Sequence, residues 1–220
     1  MTLGCQAIRS RFGADSGSIS AALSADRDQS SASLWAIRTT RLATIRDIRT
    51  RLAEPADLDA VGDLLSEAAA WTASIGFPNW PARFSRELLA LGIADRTLYV
   101  VEIEGAVVAT LTLQWRDELF WGDCADDAGY VHRLAVRRDH AGARLGGALL
   151  DWAARQVGAT NRTWLRLDAS ADNLRLCAFY ERLGFEYRGD AEGEYPMPNG
   201  EIRQWRSRRY ERAATEGTSE

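Results

Sequence analysis

Asn173, Cys177 and Tyr180 are spaced by four and then three residues, so a helix carries an amide, a thiol and a phenol on one face. An amide and a phenol on one stripe suit a single elongated ligand. Upstream, Val136-Arg-Arg-Asp-His-Ala-Gly-Ala-Arg-Leu-Gly-Gly-Ala-Leu-Leu150 reads as a strand end, a short glycine-bearing loop and a helix start. Free N–H groups at a helix N-terminus make an anion site, and the helix dipole favours negative charge there. Gly142, Gly146 and Gly147 permit close backbone approach, and Arg137, Arg138, His140 and Arg144 add positive charge. The expected ligand is a phosphorylated cofactor, most simply a pyrophosphate. The stretch lacks the terminal Gly-Lys-Ser/Thr of a P-loop. It also lacks the glycine spacing and early position of a dinucleotide fold.

The chain has 2 histidines. His140 sits on the glycine loop, and His132 on the strand before it. Strand alternation puts Tyr130, His132, Leu134 and Val136 on one face. Aromatic residues are candidates for apolar pocket walls: Trp71, Phe77, Trp80, Trp115, Trp121 and Tyr130. The acids Asp117, Glu118 and Asp123 could attract a cation. Asp168, at the end of the next strand, could bind water or orient the backbone.

These residues need elements to position them. Ile48–Ala53 alternates as a strand. Pro55 and Asp57 open a helix with Leu58, Val61, Leu64 and Leu65 on its apolar face. An aromatic loop within 71–84 leads into a second helix. Leu98–Ile103 and Ala106–Trp115 read as a hairpin joined by Glu104-Gly105. Tyr130–Val136 is a strand, Gly142–Gln156 a helix, Trp164–Leu167 a strand, and Asn173–Leu183 a helix stopped by Gly184. Phe185–Arg188 and Ile202–Arg206 are late strands. The pattern is α/β with a mixed sheet, and the strand–helix–strand unit over 130–168 needs a parallel crossover. Residues 1–44 are rich in Ser, Ala, Asp and Arg and read as a disordered or non-native extension. The domain is expected over 45–212, with a polar tail at 213–220.

Composition narrows the partners. The 220 residues are 46% hydrophobic and 26% charged, with net charge -4. No basic excess suggests nucleic acid. No run approaches the roughly 18 apolar residues of a membrane span, and no secretory signal is apparent. The 3 cysteines form no metal-site spacing and fit reduced thiols in a cytoplasm. No metal is expected. A homodimer is left open.

Leu134-Ala-Val136 with its glycine loop, and Asn173…Phe-Tyr-Glu-Arg-Leu-Gly-Phe185, resemble the GNAT superfamily of N-acetyltransferases over roughly 48–209. The resemblance implies a GNAT fold: a central, mostly antiparallel sheet whose parallel middle strands splay, flanked by helices. It implies acetyl-CoA as acyl donor. Leu134, Ala135 and Val136 would bind the pantetheine arm in strand fashion. Ala141, Gly142, Ala143, Arg144, Leu145, Gly146 and Gly147 would hold the pyrophosphate. Asn173 would contact the cofactor arm, and Tyr180 would protonate the departing CoA thiolate. Ala141 stands where the family usually has Gln or Arg, and Arg144 where it has its first glycine. CoA binding is therefore expected to be retained, with Arg144 either supplying charge or crowding the phosphates.

Transfer needs a neutral amine. An alkylamine is about 0.1% neutral near pH 7, a penalty of roughly 4 kcal/mol, so a base is useful. Tyr-Val-His-Arg-Leu-Ala-Val resembles the strand of arylalkylamine N-acetyltransferases, where a histidine at this position is implicated in base chemistry. That makes His132, or a water, the expected base, with Trp80, Trp115, Tyr130 and Asp168 lining the site of a small-molecule amine. The alternatives are a CoA-binding sensor, or a protein N-terminal or lysine acetyltransferase.

Overall fold

The computed structural model describes residues 49–122, 125–142, 144–196 and 202–215. The expected extension (1–44), the start of the expected domain (45–48), Asp123, Ala143 and the end of the expected tail (216–220) lie outside the described residues.

The seven strands are β1 (Arg49–Leu52), β2 (Leu98–Ile103), β3 (Ala106–Gln114), β4 (Ala128–Val136), β5 (Trp164–Ser170), β6 (Glu186–Pro196) and β7 (Ile202–Ala213). They form one sheet in the order β1-β2-β3-β4-β5-β7-β6. Every neighbouring pair is antiparallel except β4 and β5. This is the expected mixed α/β sheet. The hairpin between β2 and β3 turns on Glu104 (φ 52) and Gly105 (φ 80), the two positive φ angles of a type I′ turn. In β3, Val107 through Leu113 are all buried, as expected of a central strand covered on both faces.

The helices are α1 (Leu58–Ser74), α2 (Arg86–Ala94), α3 (Glu118–Trp121), α4 (Leu145–Gly158) and α5 (Leu174–Arg182). The α4 helix is the crossover between parallel β4 and β5. It buries Leu145, Leu149, Leu150, Ala153, Ala154 and Val157, a stripe at helical spacing. These pack with Val131, Leu165, Leu167, Cys177 and Tyr180 in one core, each buried leucine contributing roughly 1.5–3 kcal/mol. The opposite face has two smaller cores. One gathers Val61, Leu64 and Leu65 of α1 with Leu98, Val100 and Ala135. The other joins Trp121 of α3 to Ala128 and Tyr130. None of the described helices is long and apolar enough to cross a membrane.

Candidate acyl-transfer site

The pairing of β4 with β5 runs from Ala128↔Trp164 to Val131↔Leu167 and stops there. His132 and Asp168 are the next residues on each strand, at the mouth where the strands part. The cause lies on the other edge of β4. Thr112 pairs with His132, yet Thr110 pairs with Ala135, so β4 carries an extra residue. That residue is accommodated at Arg133, whose φ is 51 and whose Nε donates to Thr112 Oγ1 at 3.1 Å. A bulge of this kind bends a strand and re-aims its side chains.

The bulge corrects the expected alternation. Val131, Leu134 and Val136 all pack against the α4 and α5 core, whereas Ala135 packs on the α1 side. His132 therefore shares a face with Tyr130 but not with Leu134 and Val136. Of the CoA-arm candidates, Leu134 and Val136 face α4 and α5 while Ala135 does not, and His132 faces Phe120 of α3.

On the donor side, Arg138–His140 form a 3-10 turn and α4 begins only at Leu145, later than expected. Arg144 is its N-cap, in the left-handed region at φ 59. The N–H groups of Leu145, Gly146 and Gly147 lie in the first turn, where a helix has no internal acceptor for them. Gly142 turns the loop at φ 82. Gly146 and Gly147 serve packing: a Cβ on Gly146 would meet Phe179 Cζ at 3.6 Å, and one on Gly147 would meet Leu183 Cδ2 at 3.3 Å. They let α4 and α5 approach. His140 faces Asp139 at 2.7 Å, and the Arg138 guanidinium lies 4.1 Å over the Trp71 ring.

Arg144 occupies, in a conformation that costs a branched backbone about 1 kcal/mol, a position where glycine is free. Arg144→Gly is expected to stabilise the fold by up to about 1 kcal/mol. Denaturant unfolding checks this, and calorimetric titration with CoA shows whether the lost charge or the relieved crowding dominates.

On α5, Asn173 is the N-cap, its Oδ1 accepting from Leu176 N–H at 3.1 Å. Its amide NH2 remains a donor. Cys177 and Tyr180 are buried. Burial, then the Asp168 carboxylate and Cys177, push the Tyr180 phenol well above its ordinary range. Tyr180 is therefore held in its protonated form, as a proton donor must be.

On the other face, Asp117 caps the short α3, its Oδ1 accepting from Phe120 N–H at 3.2 Å. Its Oδ2 faces His132 Nε2 at 3.3 Å. The pair lacks hydrogen-bond alignment, and neither atom has another hydrogen-bond partner. On the other side of the ring, Nδ1 lies 3.9 Å from Asp168 Oδ1. Burial pushes the Asp168 carboxyl up, opposed by His132 and by a hydrogen bond with Ser207. One donor atom from each of Asp117, His132 and Asp168 lies within 4.8 Å of the others, a set that can share a cation.

The aromatic ring beside His132 is Phe120, with centroids 6.2 Å apart, and Trp205 of β7 lies 4.9 Å beyond it. Neither was singled out by sequence, because only the pairing of β7 with β5 brings Trp205 across the sheet. Tyr130 is buried on the His132 face, its hydroxyl accepting from Arg166 Nη1 at 3.1 Å. Trp115 packs on the main core beneath Arg162. Trp80 packs edge-on to Phe84 against the α1 core.

A sheet with one parallel pair that splays, a helix N-terminus beside the opening and a buried phenol above it define an acyl-transfer fold. The model of the GNAT acetyltransferase family matches residues 65–185, and the chain belongs to that family. It is 33% identical over 151 residues to YesJ of Bacillus subtilis (strain 168), an uncharacterised N-acetyltransferase, covering 62% of this chain and 81% of that one. A GNAT-family acetyltransferase from Listeria monocytogenes has the same fold, with TM-score 0.60 and 24% identity over 76% of this chain and 94% of that one. So does yncA of Salmonella typhimurium, a presumed acetyltransferase solved with its cofactor acetyl-CoA, with TM-score 0.55 and 18% identity over 78% and 96%. The chain is an N-acetyltransferase of the GNAT family.

Proposed function

We propose that the chain transfers the acetyl group of acetyl-CoA to the primary amine of a small molecule in the cytoplasm, with Tyr180 as general acid and His132, directly or through water, as base. The observation that supports this most is the parting of β4 and β5 after Val131 and Leu167. Tyr180 belongs to the core on one side of that opening, while His132, Asp117 and Phe120 gather on the other. Donor and acceptor then meet from opposite faces, which holds them for direct attack.

The donor's phosphates would lie against the first turn of α4, and its arm along Leu134, Ala135 and Val136 toward Asn173. The amine nitrogen, once neutral, forms a bond to the thioester carbonyl carbon. The C–S bond then breaks, and Tyr180 passes its proton to sulfur. Burial holds the phenol above its ordinary value and a thiol titrates near 8.5, so the proton leaves Tyr180 in concert with C–S cleavage, as the proton shed by the forming amide replaces it.

Thermal unfolding with and without acetyl-CoA, followed by thiol release with a panel of small primary amines, tests the reading. Stabilisation by acetyl-CoA and turnover of an amine support it. No stabilisation overturns it. CoA binding with turnover of peptides only, or of nothing, reassigns the chain as a protein acetyltransferase or a CoA-binding module.

A further inference from the structure

The Asp117 side chain is only 6% exposed. Among the described side chains, Asp117 and Asp168 form ion pairs with His132 alone, with no Lys or Arg. One Asp117 oxygen is fixed by the α3 cap, which leaves Oδ2 aimed at His132 Nε2 with no hydrogen-bond partner of its own. Two buried carboxylates beside one imidazole are costly unless a cation completes them. The 3.9 Å between His132 Nδ1 and Asp168 Oδ1 is too long for a direct hydrogen bond, yet one further nitrogen could contact both atoms.

We propose that Asp117, His132 and Asp168 form the seat of the acceptor's ammonium group, selecting a protonated alkylamine whose apolar body lies against Phe120 and Trp205. This rests on the reading of the chain as an amine acetyltransferase. The acceptor nitrogen is bracketed by Asp168 Oδ1 and His132 Nδ1. Asp117 is a positioning residue: its carboxylate, 3.3 Å from Nε2, favours the ring proton on that nitrogen, so that Nδ1 presents its lone pair to the ammonium. One ammonium proton moves to Nδ1, giving an imidazolium between two carboxylates and a neutral amine. That amine attacks the thioester carbon. The second proton leaves the nitrogen as the amide forms and passes through water to the Tyr180 oxygen, replacing the proton that Tyr180 gives to the thiolate. His132 then releases its proton to solvent. An aryl amine, already neutral near pH 7, gains nothing from such a seat.

The groups facing the imidazole are Asp117 before α3, Phe120 on α3, and Asp168 on β5 with Ser207 of β7 behind it. Tyr180 of α5 is coupled to Asp168 through its charge.

The test uses the full chain, acetyl-CoA and benzylamine, with benzyl alcohol as the neutral isostere. Asp117→Asn keeps a hydrogen-bond acceptor and loses the charge. It is expected to lower kcat with benzylamine about tenfold and to leave the KM for acetyl-CoA unchanged. Asp168→Asn is expected to raise the KM for benzylamine about tenfold with the KM for acetyl-CoA unchanged. In the presence of CoA, benzylamine should stabilise the wild-type chain against heat and benzyl alcohol should not. An unchanged kcat in Asp117→Asn, equal stabilisation by the two probes, or benzylamine that neither binds nor reacts overturns the proposal. So does activity lost to EDTA and restored by zinc, which would make the cluster a metal site. The two readings fail differently. If acetyl-CoA binds and other amines turn over, only the seat is wrong. If no amine turns over, the acetyltransferase reading itself falls.

Discussion

Tyr180→Phe is expected to lower kcat by about two to four orders of magnitude, with the dissociation constant of acetyl-CoA changed less than about twofold. The substitution removes one oxygen and keeps the ring. That ring is held by Phe179, Phe185 and Tyr210 at centroid distances of 5.5, 5.9 and 6.0 Å, so packing survives. What is lost is a proton poised for the sulfur. The phenol is raised above its ordinary value by burial first and by Asp168 second. An acid works only while protonated, and a raised phenol stays protonated throughout the neutral range. Any loss of rate from its ionisation therefore falls above the usual tyrosine value near pH 10. Thiol-release kinetics and calorimetric titration with CoA separate the two quantities. An unchanged kcat would remove Tyr180 from the acid role, and weakened CoA binding would show that its hydroxyl serves the ground state.

The parts of this site that were legible in sequence are those fixed by local spacing. A helix opening at Asn173, Cys177 and Tyr180 on one stripe of it, and Gly184 (φ 81) as its stop follow from helical periodicity and end signals within a dozen residues, whereas the capping role of Asn173 emerged only from the structure. The bulge at Arg133 was not legible. It is set by how Thr110 and Thr112 of β3 register against β4, and no glycine marks it. Its consequence is large, since it puts His132 and Leu134 on different faces and so separates the proposed acceptor side from the proposed donor side. The late start of α4 has a similar origin. Arg144 adopts a left-handed conformation that the residue type does not advertise.

The long β6 was hidden by its own composition. Gly-Asp-Ala-Glu-Gly reads as loop, yet it forms a strand because β7 offers Arg208 opposite Asp190 and Arg206 opposite Glu192. Such cross-strand pairs override local propensity. The same hairpin carries Trp205 to Phe120, so the proposed acceptor side is flanked by a part of the chain that reads in sequence only as a late strand.

A buried charge network beneath that wall sets the second large expectation. Arg166 donates from Nε to Glu211 Oε2 at 2.6 Å and from Nη1 to Asp127 Oδ1 and the Tyr130 hydroxyl at 3.1 Å each. Glu211 also accepts from Arg188 Nε at 3.1 Å, and the Arg166 guanidinium lies 4.9 Å over the Trp121 ring. The side chains of Arg166 and Glu211 are 11% and 8% exposed. Removing one partner of a buried pair strands the other charge, and that cost usually exceeds the net worth of the pair. Glu211→Ala is therefore expected to destabilise the fold by about 3 kcal/mol, lowering Tm by roughly 10 °C, and to loosen Trp121 and with it α3. Glu211→Gln, which keeps an acceptor, should cost about half as much. Replacing both residues, as Arg166→Met with Glu211→Leu, should cost less than the sum of the two single changes, because no uncompensated guanidinium remains from that pair. Denaturant unfolding of Arg166→Met, of Glu211→Leu and of the double change gives the coupling. Strict additivity would mean that Asp127 and Tyr130 alone hold Arg166, and that Glu211 serves Arg188 instead. Activity should follow stability in Glu211→Ala through Asp117, since the helix that Trp121 anchors is the one Asp117 caps.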